Sequence, residues 1–225
     1  MLRIIKITLI STLSLSVVAC GSCSSNPAEE EIMEVEETKT ELMFDIETDL
    51  GTMRIKLYDK TPLHRDNFAK LVAKQYYDST LFHRVIKGFM IQAGDPLTKD
   101  TSMVSSWGTG GPGYTIPAEF VNEYWHKKGA IAAARQGDLA NPKKSSSGSQ
   151  FYIVHDENAC LHLDGEYTIF GETISGLEVV DKIASVETDL RDMPVNPVRI
   201  LAIKPVVLEP EVKIDSIKVD SIKNE

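Results

Sequence analysis

The feature that most constrains the fold of this chain is a series of short apolar runs, each bounded by glycine, proline or other turn residues. From Met43 to Tyr58, apolar and polar side chains alternate on both sides of the turn Asp49-Leu50-Gly51. This alternation predicts a β-hairpin with one buried face. Further runs of strand length lie at residues 81–86, 89–93, 130–134, 151–154 and 167–170, and a last strand is predicted over 198–208. The chain is therefore predicted to be mainly β.

Two segments have helical periodicity instead. Thr61-Pro62 is typical of an N-cap followed by proline at the first helical position, so a helix is predicted from there to about Lys74. Its apolar stripe consists of His64, Phe68, Leu71 and Val72. The second helix places Leu177, Val180 and Ile183 on one side. Many short strands with two separated helices predict a single domain, a closed antiparallel sheet with helical lids.

The N-terminus is typical of an exported protein. Residues 1–19 form a predicted signal peptide, in which Arg3 and Lys6 precede an apolar run too short for a comfortable membrane span. Val17-Val18-Ala19-Cys20 resembles the lipobox of bacterial lipoproteins. The resemblance implies cleavage before Cys20 and attachment of lipid to its thiol. The alternative is an ordinary secretory signal that leaves Cys20 as a free thiol.

Two polar segments flank the predicted domain. Residues 20–42 are rich in Ser, Glu and Thr and cannot bury much apolar surface, so we expect an acidic flexible tether. Residues 209–225 are expected to form a C-terminal tail. With lipid on Cys20, the protein is expected outside the cytoplasm, anchored to a bacterial membrane. The periplasmic face of the outer membrane is the expected site, and exposure at the cell surface stays open.

Charge and cysteine content exclude several classes of partner. The chain has 33 acidic and 24 basic residues and a formal net charge of −9, and loss of the signal peptide would make it more acidic. Non-specific binding of nucleic acid needs basic surface, so no nucleic-acid partner is expected. The three cysteines give no disulfide framework and have no metal-ligand spacing with the five histidines. Neither a metal site nor a cofactor is expected.

Four motifs in order point to one family. Phe82 to Asp95, with the sequence FHRVIKGFMIQAGD, resembles the signature segment of the cyclophilin-type peptidyl-prolyl isomerases. Residues 110–120, 147–153 and 163–171 resemble the family's glycine-rich, Gly-Ser-Gln-Phe and Leu-Asp-Gly segments. The resemblance extends from Met43 to about Leu208, so residues 43–208 are expected to be one isomerase domain.

This resemblance implies a fold, an activity and a set of site residues. The implied fold is a closed eight-stranded antiparallel β-barrel capped by two α-helices. The implied activity is cis/trans isomerisation of X-Pro bonds in extracytoplasmic proteins, by a monomer whose partners are proline-containing polypeptides. The implied catalytic residues are Arg84 and Gln92, and the polar side chain of Gln92 would orient the arginine and bond the substrate backbone. The implied substrate-binding residues are Phe89, Met90, Ala134, Arg135, Gln150, Tyr152, Leu163 and Tyr167.

Arg84 also suits this chemistry on physical grounds. Rotation about an X-Pro bond breaks amide resonance, which sets a barrier of roughly 18–20 kcal/mol. Loss of resonance returns a lone pair to the prolyl nitrogen, and a guanidinium, which only donates, can bond to it. His83 is next to Arg84 and would invite an acid–base mechanism. Because neighbouring residues of a strand face opposite sides, we assign His83 a structural role.

Three residues depart from the family pattern, and two of these differences bear on ligands. His162 stands where many eukaryotic cyclophilins have a tryptophan, which implies weak cyclosporin binding. Arg135 stands where many relatives have asparagine, and its charge would favour acidic substrates. Tyr167 replaces the histidine of animal enzymes, as it commonly does in bacterial relatives.

Two other functions were weighed against the isomerase. A cyclophilin-like module that binds proline-containing peptides with little turnover would share the fold, but Arg84 and Gln92 argue against it. A secreted hydrolase is disfavoured for two reasons. The sequence does not have Ser, His and Asp residues in the order of a known catalytic triad, and it has no pair of carboxylates arranged for hydrolysis. Gly148-Ser149-Gln150 also lacks the context of a nucleophile elbow.

Overall fold

The computed structural model describes residues 41–206. The strands are β1 (Met43–Thr48), β2 (Gly51–Leu57), β3 (Arg84–Ile86), β4 (Met90–Ala93), β5 (Thr115–Ile116), β6 (Ala130–Ala133), β7 (Ser146–Ser147), β8 (Phe151–Val154), β9 (Ile169–Ser175) and β10 (Ile200–Pro205). The α-helices are α1 (Pro62–Ala73), α2 (Glu157–Cys160) and α3 (Leu177–Ala184). Short 3-10 helices occupy Pro96–Lys99, Thr101–Ser106 and Leu161–Leu163.

Eight of these strands form one antiparallel sheet in the order β10-β1-β2-β9-β6-β8-β4-β3, and β5 pairs separately with β7. The prediction of a closed barrel is wrong, because this sheet is a half-barrel that stays open between β3 and β10. On the outer edge of β3, the Val85 N–H donates to the carbonyl of Asp192 (2.7 Å) rather than to β10. The gap is crossed at a single antiparallel bridge, Leu81 to Arg199, instead of a ladder.

The predicted hairpin is confirmed. β1 and β2 pair from Met43 opposite Lys56 to Thr48 opposite Gly51, so Asp49 and Leu50 form the two-residue turn. Gly51 has a φ of +135°, and a Cβ there would lie 2.8 Å from the Val179 side chain. A glycine is therefore required where the second strand begins under helix α3.

The two predicted helices are confirmed, with one difference at the start of α1. All four residues of its predicted stripe are buried, and proline is at its first turn. The Thr61 side chain, however, makes no capping hydrogen bond. The first N–H groups of α1 donate instead to the Glu119 carboxylate, from Leu63 (3.0 Å) and His64 (3.0 Å). A distant acidic residue thus satisfies donors that a helix leaves unpaired at its N-terminus.

The half-barrel has two apolar layers because each strand points alternate side chains to opposite faces. On β4, Ile91 and Ala93 belong to the large core inside the curve of the sheet. Met90 belongs to a second cluster on the outer face, together with Tyr152 of β8 and Leu163. Helix α1 packs near β9 and β10, and α3 near β2, β3 and β4. The outer cluster is the layer that carries most of the predicted site.

Several predictions fall outside the described residues. These are the signal peptide at 1–19, Cys20 with its lipid, nearly all of the tether at 20–42, and the tail at 209–225. Across residues 41–206, no helix combines the length and hydropathy that a membrane crossing requires.

Candidate functional site

The predicted site begins with a row of three side chains on the outer face of the sheet. Arg84 of β3 lies directly opposite Gln92 of β4, and Gln92 lies directly opposite Tyr152 of β8. Side chains of residues paired in this way are roughly 5 Å apart at their Cβ atoms. Met90, two residues before Gln92, points to the same face. The sheet register therefore brings a guanidinium, an amide and an aromatic ring into line.

Arg84 is presented to solvent at one end of this row. Its side chain is 45% exposed, and its Nε lies 3.6 Å from a carboxylate oxygen of Asp192. Within residues 41–206 it makes no hydrogen bond to Gln92, which the resemblance had implied as its orienting partner. His83 points into the structure and is buried, as predicted. Burial lowers the pKa of His83, which favours the neutral imidazole.

Gln92 is fixed by a second glutamine. The Gln92 side-chain amide donates to Oε1 of Gln150 (3.0 Å). The Gln150 amide in turn donates to the carbonyls of Gly108 (3.0 Å) and Gly110 (2.8 Å). Gln150 is almost fully buried. The structure therefore places Gln150, predicted as a substrate-binding residue, where it orients Gln92. Among the described residues the side-chain oxygen Oε1 of Gln92 has no donor and can accept a hydrogen bond.

The loop that holds Gln150 is itself fixed by a buried carboxylate. Asp95 accepts hydrogen bonds from the N–H groups of Leu97 (2.7 Å), Gly108 (2.5 Å) and Gly110 (3.1 Å). A carboxylate that receives several backbone N–H groups is a strong local anchor. The carbonyls that bind Gln150 are consequently held in place from behind.

Five of the predicted substrate-binding residues form an apolar surface, here named the slot, along the Arg84–Gln92–Tyr152 row: Phe89, Met90, Tyr152, Leu163 and Tyr167. Met90, Tyr152 and Leu163 are buried in the outer cluster, while Phe89 and Tyr167 are partly exposed at its surface. The Tyr167 ring meets the Tyr152 ring edge-on at 5.9 Å. Phe89 stacks on His162, with ring centres 6.2 Å apart. The slot is therefore shallow, with a floor of buried side chains and two aromatic rings at its mouth.

The hydroxyl of Tyr152 is engaged beneath the slot. It lies 2.8 Å from Nε2 of His126, whose Nδ1 lies 2.6 Å from Oδ1 of Asp164. The His126 side chain is fully buried. Burial lowers the pKa of His126, in spite of the adjacent carboxylate, and raises that of Tyr152 well above its usual value.

Ala134 and Arg135 lie on the other side of Gln150. Ala134 is committed to the fold, since its N–H donates to the Gln150 carbonyl (3.0 Å) and its carbonyl accepts from Ser147 (2.7 Å). Among the described residues, the backbone N–H and C=O of Arg135 have no hydrogen-bond partner. The backbone polar groups of Ala134 are thus hydrogen-bonded within the protein, whereas those of Arg135 are unpaired among the described residues.

The Arg135 side chain is occupied within the protein. The side chain is 5% exposed, and its guanidinium carbon lies 4.4 Å from the Tyr167 ring centre. The guanidinium donates to the Glu166 carbonyl (3.0 Å) and to Asp138 (2.5 Å). This pairing removes the physical basis for the expected preference for acidic substrates. The guanidinium instead supports the ring at the mouth of the slot.

The whole arrangement has a counterpart among known proteins. Residues 43–205 match the family model described as cyclophilin type peptidyl-prolyl cis-trans isomerase/CLD. The chain belongs to the cyclophilin family. It is a peptidyl-prolyl cis-trans isomerase, an enzyme class named for several curated relatives.

The relatives of this cyclophilin cover its isomerase domain. It is 37% identical over 162 residues to a peptidyl-prolyl cis-trans isomerase-like 1 protein of Neurospora crassa, covering 72% of this chain and 92% of that one. It is 36% identical over 187 residues to a longer peptidyl-prolyl cis-trans isomerase of Arabidopsis thaliana; this match covers 80% of the cyclophilin and only 28% of the relative.

A solved structure gives the same fold. The crystal structure of a Cryptosporidium parvum cyclophilin type peptidyl-prolyl cis-trans isomerase in the presence of the dipeptide Ala-Pro superposes with a TM-score of 0.64 at 30% identity. The match covers 74% of this cyclophilin and 99% of that chain.

The cyclophilin also has an open groove beside the slot, with a volume of about 1210 Å³. Gln92 and Gln150 form one end of it. Its walls come from residues 108–115 and from residues 134–147. Arg135, whose backbone N–H and C=O are unpaired among the described residues, is one of the residues that line the groove.

Sequence reasoning missed three residues of the site. Asp192, His126 and Asp164 all lie in loops, outside the strands and helices. Their contacts with Arg84 and Tyr152 depend on how these loops return to the sheet, so periodicity gives no signal for them. Asp164 lies inside the Leu-Asp-Gly segment that marked the family, and that motif was the available pointer. Across the described residues, no three histidine, cysteine, aspartate or glutamate side chains are grouped to hold a metal ion.

Proposed function

We propose that this cyclophilin isomerises X-Pro bonds in extracytoplasmic proteins by stabilising the twisted amide with Arg84. The observation that carries the proposal is the row of Arg84, Gln92 and Tyr152 on one face of the sheet. This row places a charged donor and an acceptor beside an apolar slot. Amide rotation needs no proton transfer and no covalent intermediate, so no further group is required.

Arg84 would act only on the twisted state. A planar amide nitrogen is a poor acceptor, whereas the pyramidal nitrogen of the twisted bond accepts a hydrogen bond from the guanidinium. Interactions that exist in the transition state alone raise kcat. A hydrogen bond to a charged group is worth about 1.5–3 kcal/mol. Acceleration by about five decades corresponds to roughly 7 kcal/mol, so Arg84 contributes part of it.

The slot would supply much of the remainder. The planar amide has the larger dipole, so transfer from water to an apolar surface costs it more than it costs the twisted form. Met90, Tyr152 and Leu163 provide such a surface, with Phe89 at its edge. The proline ring would lie on these side chains, next to the Gln92 amide.

Backbone contacts would hold the rest of the substrate. The backbone N–H and C=O of Arg135 have no partner within residues 41–206, so an extended peptide can pair with them as an added strand. The side-chain oxygen of Gln92 can accept a hydrogen bond from a substrate N–H. Such contacts read no particular side chain, which suits an enzyme that acts on many unfolded chains.

The direct test is turnover of a proline-containing tetrapeptide, followed by NMR exchange between its cis and trans signals. The wild-type protein is expected to accelerate exchange, and the Arg84→Ala variant to lose most of this effect while retaining peptide binding. Equally slow exchange with both proteins, no faster than for the free peptide and with binding intact, would support a peptide-binding module instead. Equally fast exchange would contradict the role of Arg84.

The location is a second part of the proposal. The lipobox-like sequence ending in Cys20 supports a lipid anchor that holds a monomeric enzyme at the periplasmic face of the outer membrane. Expression in a Gram-negative host with labelled palmitate would test it. The wild-type chain is expected to take up label and to fractionate with membranes, and Cys20→Ser to do neither. Label in the Cys20→Ser protein would contradict the anchor.

A further inference from the structure

The outer face of the sheet contains a polar chain, buried at His126 and Tyr152, that the isomerase mechanism does not use. It links Asp164, His126 and Tyr152, which belong to three separate segments of the fold. His126 lies in the loop before β6, Tyr152 on β8, and Asp164 beside the slot residue Leu163. A side chain with no solvent exposure and both ring nitrogens engaged is held in one orientation.

The hydrogen bonds define which atom carries each proton. Oδ1 of Asp164 accepts the backbone N–H of His126 (2.8 Å) and also faces the ring Nδ1 (2.6 Å). A carboxylate can only accept, so Nδ1 carries the imidazole proton. The lowered pKa of His126, caused by burial, keeps the ring neutral, and Nε2 is then an acceptor. The Tyr152 hydroxyl must therefore donate to Nε2 across 2.8 Å.

The position of Tyr152 gives this chain a functional consequence. Its ring forms part of the slot floor and lies directly opposite Gln92. A donor that reached the substrate carbonyl would favour the charge-separated resonance form and so stabilise the planar amide. A loose phenol in the slot would work against the enzyme.

We propose that Asp164 and His126 are positioning residues, which fix the Tyr152 ring as the slot floor and keep its hydroxyl proton out of the slot. This inference rests on the proposed function of the slot. It assigns His126 no contact with the substrate. The proposed effect of His126 on catalysis depends entirely on the hydroxyl oxygen of Tyr152. Removal of that oxygen therefore separates this effect from a general role of His126 in folding.

A double-mutant cycle tests the proposal. His126→Leu leaves the buried phenol without an acceptor and is expected to lower kcat/KM about tenfold. Tyr152→Phe removes the hydroxyl and is expected to lower kcat/KM about threefold, since the ring loses its anchor. The double variant is expected to match Tyr152→Phe alone, so that removing one oxygen partly rescues His126→Leu. A double variant as impaired as His126→Leu, or more so, would overturn the proposal.

A spectroscopic measurement tests the chain without any reference to activity. In wild-type protein labelled with ¹⁵N-histidine, His126 is expected to be neutral with the proton on Nδ1. In Tyr152→Phe, the Nε2 signal is expected to shift while Nδ1 stays protonated. These NMR spectra still test the hydrogen-bonded chain if His126→Leu does not fold, or if the wild-type protein shows no more turnover than Arg84→Ala. A proton on Nε2 in the wild-type protein would refute the chain.

Discussion

The carboxylate of Asp192 lies 3.6 Å from Nε of Arg84, and its backbone carbonyl accepts the N–H of Val85, the next residue along (2.7 Å). Asp192 also has a φ of +61°, which is uncommon for a residue other than glycine. Strained backbone is often retained at functional sites, where the surrounding structure enforces it. One loop residue thus contacts the open edge of the half-barrel and the exposed guanidinium together.

Asp192→Asn tests whether this carboxylate orients Arg84. Asparagine tolerates a positive φ, so the backbone is expected to stay in place while the charge is lost. Because both side chains are well exposed, the ion pair is weak, and we expect kcat to fall about threefold with KM nearly unchanged. Glu47→Gln, which removes a surface charge paired with Lys204 on the β1–β10 pair, serves as the control. Identical kcat for wild type and Asp192→Asn would exclude the orienting role.

Gln150→Ala tests the support of Gln92. The substitution leaves the carbonyls of Gly108 and Gly110 without their donor and the Gln92 amide without its acceptor. We expect the free energy of unfolding to fall by about 1–3 kcal/mol. Chemical denaturation measures this loss, and exchange NMR on the folded variant is expected to show reduced kcat/KM. A variant with normal turnover would mean that Gln92 needs no fixed orientation.

Gly110→Ala tests the fixed loop behind the site. An added Cβ at Gly110 would lie 2.1 Å from Oδ1 of Asp95, a carboxylate that three backbone N–H groups hold in place. We expect a loss of about 1–3 kcal/mol in stability from this overlap. Gly137→Ala is the matched control, because nothing lies within 4 Å of its Cβ position. Equal denaturation midpoints for the two variants would contradict this packing.

Stability is expected to fall as the pH drops below about 6.5. His64, His83 and His126 are buried, and burial lowers the pKa of each. The unfolded chain therefore binds protons more readily than the folded one, and protonation below the unfolded-state pKa favours unfolding. The effect is at most about 1.4 kcal/mol per pH unit for each histidine.

Thermal denaturation between pH 7.5 and 5 measures this effect. Asp45, whose pKa the Arg54 guanidinium lowers, loses its contribution only at more acidic pH and does not confuse the result. His83→Gln is expected to flatten the slope. A Tm that is constant over this range would show that the three histidines titrate normally in the folded protein.

Local patterns predicted the parts of the fold that depend on local chemistry. The β1–β2 hairpin and the buried stripe of α1 follow from periodicity, because period 2 and period 3.6 each define a face. The open edge of the sheet was not predictable in this way. It exists because the carbonyl of the loop residue Asp192 accepts the Val85 N–H, which would otherwise pair with a further strand. The sequence around Val85 contains no pattern that predicts this distant partner.

The candidate site, like the fold, was predictable only in part. Arg84, Gln92, Met90 and Tyr152 were predicted from motifs, and the sheet register explains why they meet on one face. Gln150 lies at the site, but bonded to Gln92 and to a loop. The expected contact of Gln92 with Arg84 is replaced by that of Asp192. Side-chain hydrogen bonds depend on three-dimensional approach, and spacing along the chain does not encode it.

In the proposed mechanism, Arg84 bonds the twisted amide and not the resting one. Exchange NMR on a proline-containing peptide, which gives the affinity and the rate of interconversion from one set of spectra, tests it most directly. For Arg84→Ala and Arg84→Lys we predict peptide affinity within about threefold of wild type and kcat lower by roughly ten- to hundredfold, since one charged hydrogen bond in the transition state is lost or misplaced. A fall in affinity that accounts for the whole loss of activity, with kcat unchanged, would contradict the account.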